Sequence, residues 1–164
     1  MCIRDSPEPI DPHIDPLRQA VRAGKYDAGF CADGDGDRIG AIDRDGSFID
    51  PHRIFALLVW HLVGTRNLPG DIAKTFSVTK LIDKLAAKFG RTLREVPIGF
   101  KYICELMLEQ NILIGGEESG GIGTSLYLPC LLYTSLTPPP SSASTKVCAV
   151  STASSPEPKP RPDS

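Results

Sequence analysis

Three aspartates alternate with two glycines in the first third of the chain and are followed directly by an arginine, in the stretch DGDGDR from Asp33 to Arg38. In extended backbone, side chains at positions i, i+2 and i+4 project to the same side, so Asp33, Asp35 and Asp37 can converge on one cation. Oxygen ligands suit hard cations such as Mg²⁺, Ca²⁺ or Mn²⁺ and suit zinc or iron poorly. The pattern therefore predicts a metal-binding loop.

The arginine adds a second function to this loop. The formal charges of three aspartates, one divalent ion and Arg38 sum to zero, so the site would tolerate a phosphate dianion. The planar guanidinium of Arg38 can take two phosphate oxygens while a metal takes another. A phosphate site is predicted beside the metal.

The acidic loop has two other interpretations. An EF-hand also opens with D-x-D-x-D, but it needs Gly at position six and Glu at position twelve, where this chain has Arg38 and Arg44. The EF-hand is therefore excluded. The other alternative is an acidic surface turn, and the arginine, the glycines and the apolar run Ala28 to Ala32 favour the metal site over it.

A lysine, Lys101, stands in the first turn of a predicted helix, where a cation is unfavourable for the helix dipole. A functional reason for this placement would be binding of a phosphate or a sugar oxygen, or proton transfer. A solvated surface lysine is the alternative.

A glycine-rich stretch, GGEESGGIG, runs from Gly115 to Gly123 and follows a predicted strand. Its carboxylates and its hydroxyl suit paired sugar hydroxyls, with Glu117 and Ser119 as the candidate ligands. Loops at the carboxyl ends of strands are the usual ligand sites of open α/β sheets. The alternative is a flexible polar loop.

Helices and strands must alternate to position these groups. Helices are predicted from Asp15 to Gly24, from Asp50 to Gly64, from Thr79 to Phe89 and from Phe100 to Gln110, with Asp15 and Asp50 as N-caps. The first helix is predicted to carry Leu17, Ala20 and Val21 on one apolar face. Strands are predicted at 28–32, 39–43, 48–49, 72–76, 92–96 and 112–115, with a hairpin turn at 44–47. The second helix is predicted to bury a stripe of Ile54, Leu57, Leu58, His61 and Leu62, with His61 as a packed core histidine. The fold class is α/β, a mainly parallel sheet covered by helices in α/β/α layers.

Composition excludes some function classes. The 164 residues are 41% hydrophobic and carry a net charge of −2, without a clustered basic face, which argues against nucleic acid as a partner. The sequence has no apolar run of the ~18 residues that a membrane span needs and no secretory signal, so a cytoplasmic protein is expected. Five cysteines without a C-x-x-C pair favour reduced thiols, with Cys31 and Cys104 as core residues.

The two ends differ from the rest of the chain. Residues 1–6 (MCIRDS) and 130–135 (CLLYTS) resemble translated adapter sequence from sequencing libraries, and seven of the fifteen prolines lie beyond Leu136. We predict a non-native segment 1–6, a partial domain 7–49 with the metal loop, a domain 50–129 with the glycine-rich loop, and a disordered, non-native tail 130–164.

Three motifs in this order and spacing, DGDGDR, GFKYI and GGEESGG, resemble those of the α-D-phosphohexomutases, the phosphoglucomutase and phosphomannomutase family. The resemblance spans about Pro7 to Pro129 and places this stretch at the end of the family's second domain and most of its third. It implies isomerisation of hexose 1-phosphate and hexose 6-phosphate through a phosphoserine and a bisphosphorylated sugar.

The resemblance also implies roles for individual residues. Asp33, Asp35 and Asp37 would hold Mg²⁺, and Arg38 would support the phosphoryl group that is transferred. Glu117 and Ser119 match the family's sugar-specificity loop. Lys101 matches a lysine near the sugar in some members, whereas others carry a histidine one residue earlier, where this chain has Phe100.

Other parts of the family pattern are not recognisable in the sequence. These are the phosphorylated serine of the first domain and the phosphate-binding fourth domain. The chain alone is therefore expected to be inactive. The alternative to a piece of a mutase is a non-catalytic module that binds a divalent cation or a sugar phosphate; the choice among glucose, mannose and glucosamine phosphates and the oligomeric state stay open.

Overall fold

The computed structural model describes residues 8–34, 36–126 and 148–149, which form two β-sheets with helices packed against them. The predictions for residues 1–6, for Asp35 and for nearly all of the tail lie outside the described residues. The predicted domain boundaries stay predictions.

The first sheet contains the strands on both sides of the acidic loop. Its elements are α1 Asp15–Gly24, β1 Ala28–Ala32, β2 Ile39–Asp43, β3 Phe48–Ile49 and, late in the chain, β8 Cys148–Ala149. The strand order is β3-β2-β1-β8, with β1, β2 and β3 antiparallel and β8 parallel to β1. The predicted hairpin is confirmed, and the parallel arrangement does not extend to β1, β2 and β3.

Helix α1 covers one face of this sheet. It buries Leu17 and Val21 against β1, where a Cβ on Gly29 would lie only 2.5 Å from Val21 Cγ2. The predicted apolar face is confirmed, but Asp15 is not the N-cap. Ile14 already has helical backbone angles, and the carboxylate of Asp15 instead pairs with Arg18 one turn later.

The second sheet is mostly parallel, as predicted. Its strands are β4 Asp71–Thr75, β5 Leu93–Val96, β6 Ile112–Gly116 and β7 Ile122–Thr124, and its helices are α2 Pro51–Val59, continued by a π-helical segment Trp60–Thr65, α3 Leu81–Lys88 and α4 Phe100–Glu109. The order is β5-β4-β6-β7, with the first three strands parallel and β7 antiparallel to β6. The short, glycine-containing β7 was not predicted.

Helices lie on both faces of the second sheet. Helices α2 and α3 pack on one face through residues that include Phe55, Val59 and Ile82, and α4 packs on the other through Ile103. Ile72 of β4 contributes to the first of these cores. The three-layer α/β/α arrangement is thereby confirmed.

The buried face of α2 differs from the predicted stripe. Asp50 caps the helix as predicted, since its carboxylate accepts a hydrogen bond from the Arg53 amide at 2.9 Å. However, Leu57 is 60% exposed and His61 is exposed, whereas Phe55 is fully buried. Because α2 is apolar on nearly all sides, its periodicity could not identify the inner face.

Candidate functional site

The acidic loop between β1 and β2 is organised by Asp33. Its Oδ1 accepts hydrogen bonds from the backbone amides of Gly36 at 3.1 Å and Arg38 at 3.2 Å, and its side chain is only 6% exposed. Gly36 has a φ of +75°, which a side chain would disfavour. Asp33 therefore shapes the loop, and its second oxygen, Oδ2, points to a different partner.

That partner is Arg38, which lies among several carboxylates. Its Nε is 3.5 Å from Asp33 Oδ2 and 3.8 Å from Asp37 Oδ1, and its Nη1 pairs with Glu8. Glu8 is 57% exposed, so this last ion pair lies at the surface, where a phosphate could replace it at small cost.

The donor set of the loop fits a hard cation. Asp33 Oδ2 and Asp37 Oδ1 both lie within 4 Å of one guanidinium nitrogen, so two of the three predicted ligands converge on a site for positive charge. No group of three or more metal-ligating side chains occurs within residues 8–34 and 36–126, and Asp35 falls between these ranges.

The glycine-rich loop follows β6 at the carboxyl edge of the second sheet. Ser119 Oγ donates a hydrogen bond to Glu117 Oε1 at 2.8 Å, so the structure brings the two predicted sugar ligands together. The backbone closes tightly around them, because the Glu117 amide donates to the Gly121 carbonyl at 3.0 Å and the Gly120 amide donates to the Glu117 carbonyl at 3.2 Å.

Helix α4 supports this loop with an aromatic ring. A Cβ on Gly121 would lie 3.3 Å from Phe100 Cδ2, and one on Gly123 would lie 3.0 Å from Phe100 Cζ. Phe100 therefore fills the space under the loop. Its neighbour Lys101 is exposed, with its Nζ 4.7 Å from the centre of the Tyr102 ring.

The two loops meet at one cavity. Gly120 packs against the backbone of Ile39, the residue after Arg38, since a Cβ there would lie 3.2 Å from the Ile39 carbonyl oxygen. A cavity of about 510 Å³ opens at this contact and is lined by residues of both loops and their strands, among them Asp37, Arg38, Gly120 and Ile122. The predicted metal site and the predicted sugar loop are thus adjacent in space.

A second polar cluster beside the sugar loop was not predicted. Glu118 Oε2 accepts hydrogen bonds from Thr75 Oγ1 at 3.0 Å and from Ser77 Oγ. Burial by itself would raise the pKa of the Glu118 carboxyl, but the pKa is lowered. The opposing contributions are the hydrogen bond from Ser77, a hydrogen bond with the backbone of Glu118, the hydrogen bond from Thr75 and the charge of His52. The sequence signal was two hydroxyl residues at the end of a predicted strand.

Cys31 also lines the cavity. It is buried, as predicted, and burial raises the pKa of its thiol. Cys104 is half-buried, and both cysteines are free thiols.

A model of a known protein family matches residues 50–130, and its description is phosphoglucomutase/phosphomannomutase, alpha/beta/alpha domain III. The matched region begins at the cap of α2 and includes the glycine-rich loop. Among the described residues, no helix is both long and apolar enough to cross a membrane.

Individual relatives are similar over a longer stretch of the chain than the family model. The chain is 34% identical over 108 residues to the phosphoglucosamine mutase of Marinobacter nauticus, and 33% identical over 117 residues to the phosphoglucomutase/phosphomannomutase of Thermococcus kodakarensis. These alignments cover 66% and 71% of this chain but 24% and 25% of the relatives. The chain therefore spans about a quarter of the length of the curated relatives that it matches.

A solved structure is similar over a comparable share of the chain. The crystal structure of a Thermus thermophilus protein assigned as a phosphomannomutase superposes with a TM-score of 0.65 and is 34% identical. The superposition covers 72% of this chain and 27% of that protein.

Proposed function

Because residues 50–130 belong to the phosphoglucomutase/phosphomannomutase family as its α/β/α domain III, we propose that this chain carries the sugar-binding and metal-binding part of a phosphohexomutase. The parent reaction interconverts a hexose 1-phosphate and a hexose 6-phosphate. A phosphoserine donates its phosphoryl group to the free sugar hydroxyl, and the bisphosphorylated sugar then returns its other phosphoryl group to the serine.

The hydrogen-bonded pair of Glu117 and Ser119 is the observation that supports this proposal most strongly. The Glu117 carboxylate can accept hydrogen bonds from two neighbouring sugar hydroxyls, and the Ser119 hydroxyl can donate or accept one. The pair lies at the carboxyl edge of a parallel sheet, where ligands of such folds bind.

The acidic loop would hold the metal. Asp33 through Oδ2, together with Asp35 and Asp37, would ligate Mg²⁺, which when bound would offset negative charge on the transferred phosphoryl group. Arg38 would then exchange its surface partner Glu8 for phosphate oxygens, because a bidentate guanidinium–phosphate pair is stronger than an exposed ion pair.

Lys101 would act from the first turn of α4. It would bind a phosphate or sugar oxygen, or transfer a proton. Its side chain is exposed and rests near the Tyr102 ring, which leaves the ammonium accessible to a ligand.

Binding is the activity expected of the 164-residue chain by itself, without turnover. Titration calorimetry with glucose 1-phosphate, mannose 1-phosphate and glucosamine 1-phosphate in the presence of Mg²⁺ tests it. Glu117→Ala should weaken binding of the preferred sugar phosphate about tenfold, the loss expected for a hydrogen bond to a charged group. Glu109→Ala, on the exposed end of α4, is the charge-matched control and should leave affinity unchanged.

Failure to bind any of the three sugar phosphates would contradict the proposal. If Glu117→Ala and Glu109→Ala both left the affinity unchanged, the sugar would bind elsewhere than at Glu117.

A further inference from the structure

The residue between the two sugar ligands bonds to a different part of the molecule. Glu117 and Ser119 are hydrogen-bonded to each other. The Glu118 carboxylate instead accepts hydrogen bonds from Thr75 and Ser77, which lie outside the loop. These two hydroxyls also lie within hydrogen-bond distance of one another, at 3.1 Å. We call Glu118, Thr75 and Ser77 the Glu118 cluster.

The cluster ties the loop to a central strand of the sheet. Thr75 is the last residue of β4, which pairs on both sides, with β5 and with β6. Its side chain is fully buried, so its hydroxyl has a fixed position. Hydrogen bonds to a carboxylate are stronger than those between neutral groups, which makes Glu118 an effective link.

The rest of the segment between β6 and β7 is short and rich in glycine. Residues 117–121 include Gly120 and Gly121, which form two backbone hydrogen bonds with Glu117 and pack against Ile39 and Phe100. Because glycine is the most flexible residue, ordering such a loop costs more conformational entropy than ordering an ordinary one. A side-chain link to a buried strand reduces that cost before the ligand arrives.

We propose that Glu118 is a positioning residue for the sugar site: through Thr75 and Ser77 it fixes the loop so that Glu117 and Ser119 are held in the geometry that binds sugar hydroxyls. This inference rests on the proposed function of the Glu117–Ser119 pair and assigns a role to three residues outside that pair.

The test uses the whole 164-residue chain and two readouts, and its probe is whichever of glucose 1-phosphate, mannose 1-phosphate and glucosamine 1-phosphate the native chain binds most tightly. Calorimetry measures affinity, and hydrogen exchange measures protection of the Glu117 and Gly120 amides, which the loop hydrogen bonds protect. The variants are Glu118→Ala, the pair Thr75→Val with Ser77→Ala, and all three substitutions together. Glu109→Ala is again the charge-matched control, and Ser77→Ala alone serves if the Thr75 variant does not fold.

We expect Glu118→Ala and the hydroxyl pair each to weaken binding about tenfold and to speed exchange of both amides. The triple variant should be no worse than either, because all three changes break the same link. Glu118→Gln, which keeps an acceptor oxygen, should recover most of the affinity. Glu117→Ala should weaken binding without speeding exchange.

Unchanged affinity and exchange after loss of the two hydroxyls would overturn the positioning role, as would fully additive losses in the triple variant. A native chain that binds none of the hexose phosphates overturns the proposed function and, with it, the role of Glu118 in sugar binding. The exchange data alone then decide whether Glu118 fixes the loop.

Discussion

At the scale of single residues, the two carboxylate oxygens of Asp33 face different partners. Oδ1 is occupied by the amides of Gly36 and Arg38, while Oδ2 faces the Arg38 guanidinium and is the oxygen left for a cation. The residue is therefore part of the loop's structure as well as a proposed ligand.

This dual role predicts that Asp33→Ala lowers the free energy of unfolding even without metal. A loss of roughly 1–3 kcal/mol is expected, because two backbone amides lose a charged acceptor. Urea unfolding in the presence of a chelator measures it. Asp27→Ala is the matched control: Asp27 is 69% exposed and pairs with Arg44, itself 75% exposed, so its loss should change stability by less than about 1 kcal/mol. Equal effects of the two substitutions would show that the loop does not depend on Asp33.

At the scale of elements, a buried lysine joins a strand and a helix. Lys74 of β4 is fully buried, and its Nζ lies 2.6 Å from Asp83 Oδ2 of α3 and 3.4 Å from Glu95 Oε2 of β5. Burying a charge is unfavourable unless it is paired, so these carboxylates are needed for β4 to hold a lysine in this position. No sequence pattern indicated this contact, since Asp83 lies nine residues away on a different element of the fold.

The pairing predicts a pH dependence of stability. The hydrogen bond from Lys74 lowers the pKa of Asp83, against a smaller opposing effect of burial and with help from Lys80. Because the pKa of Asp83 is lower in the folded state than in the unfolded state, its ionisation stabilises the fold at pH values above the unfolded-state pKa. This contribution is lost as the pH falls through the folded-state pKa.

Urea unfolding of the native chain and of Asp83→Asn from about pH 7 to about pH 3 measures this effect. The native chain should be more stable at neutral pH, and the difference should shrink as the pH falls below about 4, the ordinary pKa of aspartate. Asp27→Asn, in an exposed pair, is the control and should follow the native curve. A difference that is constant with pH would contradict the assignment to Asp83 ionisation.

At the scale of the whole molecule, the two sheets have cores of unequal size. Within the described residues, the core between α1 and the first sheet contains five buried residues, whereas the one beneath α2 and α3 contains twelve. Burial of apolar surface is the main stabilising contribution to folding. The second sheet with its helices should therefore be more stable than the first sheet with α1.

Hydrogen exchange in increasing urea tests this inequality. Amides of β1 and β2 should lose protection at lower urea than those of β4 and β6. Val21→Ala, at a fully buried position of α1, should lower the opening free energy of the first sheet by roughly 1–3 kcal/mol and leave β4 unchanged. Equal loss of protection in all four strands would mean that the two sheets unfold as one cooperative unit.

The sequence determined much of this protein by local rules. Short-range patterns predicted most helices and strands, among them the apolar segments, the cap at Asp50 and the turn at 44–47. Such patterns are reliable because capping, turn chemistry and apolar runs act over a few residues. The order of the three motifs identified the family from the same linear information. The metal-ligand role of Asp35 and the domain boundaries stay predictions.

The tertiary structure decided what depends on distant parts of the chain. In α2 it is Phe55, not Leu57, that lies in the core. The helix is apolar on nearly all sides, so only the sheet that packs against it determines which face is buried. It also placed Gly120 beside Ile39 and joined Glu118 to Thr75, 43 residues away in sequence. Contacts over such separations depend on how the two sheets and their loops pack, which no local pattern specifies.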